Sequence, residues 1–262
     1  YFEQATFELR GSFDVDIFFE SFQALAQRHA ILRTGFYNNI TDVPLQVVFK
    51  QRPIPLNYVD LRAGTLQEQE AQIQAYTTED MAKGFSLSED PLMRVTVMQK
   101  EQSHLVLWSF HHIVMDGWCI PIITQELFDY YSALRQQVQP VLPPAQPYSR
   151  YIEWLDAQDD QESSTYWSQY LEDYDGNTVL PEAKTKSQAK VEGYVLNEHV
   201  LHLGASLTHK MDVVAKRNHV TVNTLMQTAW GLILQHYNAS SDVVFGGVVS
   251  GRPAEIAGIE NM

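Results

Sequence analysis

The chain has 262 residues, of which 45% are hydrophobic, and its formal net charge is -14. This length suggests one large or two modest domains, and the composition is typical of a soluble globular protein. The negative charge argues against nucleic acid and anionic membranes as partners, and no apolar run is long enough to span a bilayer. The single Cys119 excludes an internal disulfide and fits a reducing cytoplasm.

The first part of the chain predicts a strand followed by a helix. Residues 1–10 alternate weakly between polar and apolar side chains, as a half-buried strand does. Asp14 is a suitable N-cap for a helix over 15–30, which carries an apolar stripe at helical spacing. Arg28 and Arg33 come at the end of this helix and just after it. They either complement the helix dipole or reach across the fold to pair with an acid.

The middle of the chain predicts four strands around one polar helix. A polar turn at 101–103 would join the last two strands as an antiparallel pair, and Gly84 is the expected C-cap of the helix. The predicted strands lie at 45–50, 54–59, 91–99 and 104–110, and the helix lies at 67–83.

The sequence His111-His112-Ile-Val-Met-Asp116-Gly117 follows the last of these strands and precedes an amphipathic helix that runs to about residue 137. Histidine can accept a proton near neutral pH. Adjacent side chains of an extended segment point in opposite directions, so only one histidine can face a given cavity. His112 is nearest the turn and is the candidate base.

Three neighbours of the histidines have alternative roles. Asp116 could orient the imidazole, or it could brace the loop by pairing with an arginine. Gly117 could adopt a backbone conformation that other residues resist, or it could let another group approach closely. Cys119 is expected to be a small buried residue rather than a nucleophile.

The second half of the chain begins with a proline-rich linker at 140–147, which is the best internal boundary. The aromatic stretch 148–174 predicts two helices, and its rings are expected to pack in the core or between lobes, with ligand binding as the alternative. These rings are Tyr151, Trp154, Tyr166, Trp167 and Tyr170. A polar loop at 177–192 should follow. Strands are then predicted at 193–203 and 242–249 and helices at 206–218 and 222–238, so both halves suggest similar α/β lobes with a site between them.

Residues 110–119 resemble the core motif of nonribosomal peptide synthetase condensation domains, which belong to the chloramphenicol acetyltransferase-like acyltransferases with a His-x-x-x-Asp motif. Residues 28–36 resemble the family's Arg-His-x-x-Leu-Arg-Thr-x-Phe motif. Residues 148–154 resemble its Tyr-x-x-aromatic-x-x-Trp motif, with Arg150 where Asp is usual. Residues 243–253 resemble its later Phe-Gly…Ser-Gly-Arg-Pro segment. These motifs occur in the family's order and span essentially the whole chain.

The resemblance implies an α/β fold of two chloramphenicol acetyltransferase-like lobes in a pseudo-dimer. Residues 1–147 would be the N-terminal lobe, and 148–262 would be the start of a truncated C-terminal lobe. The family's first motif should precede residue 1, and its Ile-Gly-x-Phe-x-Asn-Thr motif should follow residue 262. The chain is therefore expected to be a fragment of a larger modular protein and, on its own, inactive.

The resemblance also implies the reaction. The amine of an acceptor aminoacyl thioester attacks the thioester carbonyl of an upstream donor. Both substrates arrive on 4'-phosphopantetheine arms of carrier domains, next to an adenylation domain, and no bound cofactor or metal is expected.

Within this reaction, His112 would accept the proton or hydrogen-bond the intermediate, and the N–H of Gly117 would stabilise the oxyanion. His111 would be structural. Asp116 would form a structural salt bridge with one of three arginines, Arg33, Arg28 or Arg252.

Several alternatives share parts of this pattern. Epimerisation domains have the same core motif but usually continue with Val-Ser-Trp, whereas Trp118-Cys119 follows here. Heterocyclisation domains replace the histidines with a carboxylate. A non-catalytic docking scaffold of the same fold typically lacks the second histidine, and a stand-alone acyltransferase would lack the outer motifs. Met115 and the sequence 118–123 resemble the subtype that accepts a donor ending in a D-residue, in agreement with the start at 1–4.

Overall fold

The computed structural model describes residues 1–181 and 199–262. The chain divides into two compact units, residues 1–158 with 250–262 and residues 159–249. The first unit contains β1 (Phe2–Arg10), α1 (Val15–Arg28), β2 (Thr34–Tyr37), β3 (Leu45–Val48), β4 (Leu56–Asp60), α2 (Leu66–Lys83), β5 (Met93–Gln99), β6 (Ser103–His111), α3 (Cys119–Arg135) and α4 (Ser149–Asp156). The second contains α5 (Asp160–Tyr170), α6 (Ala205–Arg217) and α7 (Val222–Asn238).

The main sheet of the first unit has the strand order β1-β6-β5-β4. Strand β6 runs antiparallel to both of its neighbours, whereas β4 and β5 are parallel. The Lys100 N–H donates to the Ser103 carbonyl at 2.8 Å, which closes the tight turn between β5 and β6 and confirms the predicted pairing. Strand β6 is an inner strand and ends at His111, so the two histidines lie at the end of this strand.

Helix α1 covers the sheet through an aromatic core. Phe18 and Phe22 are fully buried, and the ring of Phe22 meets the edge of Trp108 on β6 at 5.9 Å between centroids. Burial of each such side chain contributes about 1.5–3 kcal/mol. The Asp14 carboxylate accepts the N–H groups of residues 16 and 17, which confirms the predicted N-cap. The helix ends at residue 28 rather than 30, because His29 has an extended backbone.

The remaining elements of this unit follow the sequence with one omission. Helix α2 has a capping box between Thr65 and Glu68 and ends at Gly84, whose φ of 58° lies in the region that favours glycine. Strand β2 was not predicted, and it pairs with β3 as a separate two-stranded sheet. Short strands of mixed polarity carry little periodicity, so β2 had no signal of its own.

In the second unit the predicted helices are confirmed and the predicted strands are not. Helices α6 and α7 lie within one residue of their predicted bounds. Residues 242–249 and 199–203 have no regular structure, while 193–198 and most of the predicted loop, 182–192, lie outside the described residues. A strand needs a neighbour for its backbone hydrogen bonds, and the described part of this unit contains no other strand.

The prediction that the aromatic rings pack in the core is wrong for the three rings of α5. Tyr166, Trp167 and Tyr170 are 57%, 56% and 69% exposed. They contact one another instead, with 5.9 Å between the ring centroids of Tyr166 and Tyr170. Tyr151 and Trp154 on α4, in the first unit, are partly buried and stack at 5.8 Å. Among the described helices, none has the length and apolar character that a membrane crossing requires.

Candidate active site

The loop that carries the two histidines is anchored to the sheet. His111 is the last residue of β6 and lies opposite Phe2 of β1. One residue further, the His112 N–H donates to the Tyr1 carbonyl at 2.8 Å. The chain then turns, since the Val114 N–H donates to the His111 carbonyl at 3.1 Å. The backbone of His112 is therefore fixed from two sides.

The two histidines occupy different environments. The side chain of His112 is exposed and lines a cavity of about 250 Å³. His111 does not line this cavity; its ring lies against Phe85 and Tyr1, and its Nδ1 accepts the Ile113 N–H at 3.0 Å. Burial lowers the pKa of His111, which favours the neutral ring that this hydrogen bond requires. Of the two adjacent histidines, His112 is the one whose side chain lines this cavity.

The cavity lies entirely within the first unit, and four parts of that unit form its walls. These are the end of α1 with the residues after it, the histidine loop with the start of α3, the segment leading into α4, and residues 250–262. His29, Met115, Tyr148 and Arg252 represent the four walls in that order. The lining combines apolar and aromatic side chains with a few polar groups, which is the usual character of a small-molecule site.

Asp116 caps the turn that leads into α3, whose own N-cap residue is Trp118. Its Oδ1 accepts the N–H groups of Trp118 and Cys119 at 2.9 and 3.1 Å, and the Cys119 thiol donates to it at 3.2 Å. Burial alone would raise the pKa of Asp116, but these hydrogen bonds and the charge of Arg252 outweigh it and lower the pKa. No hydrogen bond joins Asp116 to His112 within residues 1–181 and 199–262. The carboxylate shapes the loop rather than orienting the imidazole.

The three candidate arginines have different partners. Arg252 Nη1 lies 3.9 Å from Asp116 Oδ2 and is the nearest of the three to that carboxylate. Arg252 also donates to the carbonyl of Met262 at 2.9 Å, so it links the histidine loop to the segment 250–262. Arg28 instead forms an ion pair with Glu126, and Arg33 donates to the Phe49 carbonyl.

Gly117 has an ordinary backbone conformation, because its φ is not among the positive values of this chain. The expectation that it adopts a conformation other residues resist is therefore wrong. A Cβ added to Gly117 would meet no atom within 4 Å, so the space beside it is open. Gly117 does not line the cavity of His112.

Cys119 lies on the cavity wall with its thiol partly buried. Burial raises the pKa of this thiol, which disfavours the thiolate that a nucleophile requires. Across the described ranges, no three side chains from His, Cys, Asp and Glu are grouped to hold a metal ion.

Sequence reasoning assigned no role to Glu126 or His29. Glu126 is buried on α3 and accepts from Arg28 at 3.0 Å, and it lies 2.5 Å from His29 Nε2. A signal was present: Glu126 lies between Ile123 and Leu127 on the apolar stripe of α3. A charged residue on a buried stripe is expected to have a partner.

The family model described as "Condensation domain" matches residues 1–262. A component of mycosubtilin synthase from Bacillus subtilis is 47% identical over the whole chain, and tyrocidine synthase 2 of Brevibacillus parabrevis is 43% identical over 99% of it. The chain belongs to the condensation domain family of nonribosomal peptide synthetases, as its motifs predicted. Members of this family are acyl- and peptidyl-transferring enzymes. The chain spans 10% and 7% of the lengths of these two relatives.

Solved structures agree on the fold. The epimerization domain from the third module of tyrocidine synthetase B matches 92% of the chain with a TM-score of 0.72 at 18% identity, over 55% of its own length. The condensation enzyme VibH matches 89% with a TM-score of 0.66 at 20% identity, over 53% of its length. The X-domain from teicoplanin biosynthesis gives 0.69 at 22% identity, over 92% of the chain and 54% of its own length. Identities this low support the mixed α/β condensation-domain fold alone.

Proposed function

We propose that this chain forms an amide bond between two carrier-bound substrates. The amine of an acceptor aminoacyl thioester attacks the carbonyl of an upstream donor thioester. The observation that carries the proposal is the position of His112, whose exposed side chain lines a cavity while its backbone is fixed by the Tyr1 carbonyl. A general base must come within hydrogen-bond reach of the proton that it accepts, and an imidazole on the cavity wall with an anchored backbone suits that requirement.

The reaction needs little covalent assistance, because a thioester is already activated. The amine nitrogen bonds to the carbonyl carbon, and the carbonyl oxygen becomes an oxyanion. The carbon–sulfur bond then breaks, the thiolate leaves, and the amine proton passes through His112 to that thiolate. Holding both substrates in reach supplies much of the rate. The Gly117 N–H is proposed as the oxyanion donor from the resemblance of the motif alone, since Gly117 is not among the residues that line the cavity of His112.

The other residues of the motif act through the shape of the loop. His111 holds the turn through its contact with the Ile113 N–H, and Asp116 caps the turn before α3. Arg252 braces Asp116 from the segment 250–262, whereas Arg28 pairs with Glu126 and Arg33 donates to the Phe49 carbonyl.

The wider assembly is part of the same proposal. The partners are donor and acceptor carrier domains with 4'-phosphopantetheine arms and a neighbouring adenylation domain, in a reducing cytoplasm; the chain itself binds no cofactor. The donor ends in a D-residue, as the sequence around Met115 suggests. Residues 1–147 and 148–262 belong to two lobes of a pseudo-dimer.

A single-turnover condensation assay tests the proposal. The complete domain is mixed with donor and acceptor carrier proteins loaded separately, with donors of both chiralities, and peptide on the acceptor carrier is measured by mass. We expect product from the D-donor. Product from the L-donor alone would refute the subtype and keep the enzyme. Absence of any product with bound carriers would favour the docking scaffold, and inversion of the donor residue without transfer would favour epimerisation.

A further inference from the structure

The cavity has a second imidazole, His29, which the mechanism above does not use. His29 follows the last residue of α1 and lines the same cavity as His112. Its side chain is only 11% exposed, and its Nε2 lies 2.5 Å from Glu126 Oε2. The ring is therefore held by a contact to α3 while one side of it borders the cavity.

Glu126 determines which nitrogen of His29 carries the proton. Burial alone would raise the pKa of Glu126, but the contacts to His29 and Arg28 outweigh it and lower the pKa. The carboxylate is therefore ionised near neutral pH and can only accept hydrogen bonds. His29 Nε2 must then donate, so Nδ1 is the nitrogen on which the ring can accept a hydrogen bond. No donor within residues 1–181 and 199–262 forms a hydrogen bond to this Nδ1.

The charge around His29 is balanced. Arg28 donates to Glu126 from Nε at 3.0 Å, and its Nη2 lies 3.0 Å from the other carboxylate oxygen. The negative charge of Glu126 is thus offset by the guanidinium of Arg28, so the carboxylate that holds the His29 ring adds no net negative charge beside it.

We propose that His29 binds the α-amino group of the acceptor substrate and orients it for attack; this inference rests on the proposed function. A nucleophilic amine must be neutral, with its lone pair directed at the carbonyl carbon. A ring nitrogen that accepts a hydrogen bond from the amine fixes the direction of the amine lone pair. An unpaired carboxylate would instead stabilise the charged ammonium form, which is not nucleophilic. Asp116 is the acidic residue that lines this cavity, and its Oδ1 already accepts two backbone N–H groups.

The test measures binding rather than turnover. The probes are an aminoacyl-pantetheine in which an amide replaces the thioester, and its counterpart in which hydrogen replaces the amine. Calorimetry gives the Kd of each probe for the chain and for three variants, H29A, H29Q and the control H209Q. Gln can keep the donor to Glu126, and its amide oxygen is bonded to the carbon that bears this donor rather than standing at the position of Nδ1. H29Q therefore preserves the structural contact without the Nδ1 acceptor. His209 is exposed on α6 in the second unit.

We expect the amine to improve binding about tenfold in the unsubstituted chain and in H209Q, and no more than about twofold in H29A and H29Q. The proposal would be overturned if the amine improved binding equally in all four proteins. It would also be overturned if the amine probe did not bind measurably to the unsubstituted chain. If H29A fails to fold, H29Q alone decides. Suppose that the complete domain forms peptide and that the amine improves binding to H29Q as much as to the unsubstituted chain. This result would refute only the inference about His29. Suppose instead that the amine no longer improves binding to H29Q and that the complete domain forms no peptide. This result would refute only the proposed condensation.

Discussion

Replacement of Asp116 by alanine should destabilise the protein by about 1–2 kcal/mol. The substitution removes the acceptor of two backbone N–H groups at the start of α3, and loss of a capping side chain costs about 0.5–2 kcal/mol. The Asp116 side chain is 41% exposed and lies 3.9 Å from Arg252, so solvent screening limits the ion pair to about 0.5 kcal/mol. The expected decrease in Tm is about 2–8 °C for a chain of this size.

Asparagine separates the capping function of Asp116 from its charge. D116N keeps the Oδ1 acceptor and should lose about 0.5 kcal/mol or less. Urea unfolding of D116A and D116N, with the exposed Asp156→Ala as control, measures the difference. Because capping positions the loop, D116N should also retain most of the activity that D116A loses. Equal destabilisation by D116A and D116N would refute the capping argument, and so would an inactive D116A of unchanged stability.

The remaining predictions concern three other positions. Gly117→Ala should leave the free energy of unfolding unchanged in urea titrations, since an added Cβ meets open space at an ordinary φ; a loss above about 1 kcal/mol would contradict this. Asp14→Ala should cost about 1 kcal/mol by the same assay, because it removes the N-cap of α1, and no loss would refute that role. The lowered pKa of Glu126 gives stability that is present above its unfolded pKa of about 4.3 and is lost as the pH falls through its lower folded pKa. Below about pH 4 the urea midpoint should therefore fall more in the unsubstituted chain than in Glu126→Gln, and equal falls would contradict the assignment. Some fall is expected in both proteins, because the pKa values of Glu8, Asp60, Glu68 and Asp116 are also lowered.

The sequence predicted the elements whose signals are local. Asp14 has capping chemistry, α1 has an apolar stripe, and β5 and β6 are joined by a short polar turn. Each of these patterns is complete within its own segment. The alternation of side chains at the end of a strand is also a local signal. It predicted that only one of the two adjacent histidines faces a given cavity.

Features that depend on a distant partner were not predicted. The segment 242–249 has the composition of a strand, but pairing needs a neighbour, and none is present in the described part of its unit. The rings of α5 were assigned to a core from their composition alone, although Tyr170 is 69% exposed. The arginine that approaches Asp116 is Arg252, which lies 136 residues later in the sequence. No local pattern could distinguish it from Arg28 and Arg33.

The single-turnover rate of His112→Ala, compared with His111→Gln in the complete domain, tests the central claim most directly. His112 lines the cavity and His111 does not, so the pair separates chemistry from loop structure. The account predicts that His112→Ala lowers the rate of peptide formation about 10²- to 10⁴-fold at saturating substrate while the fold is retained. His111→Gln should lower the rate much less. Equal rates for His112→Ala and the unsubstituted domain would contradict the account.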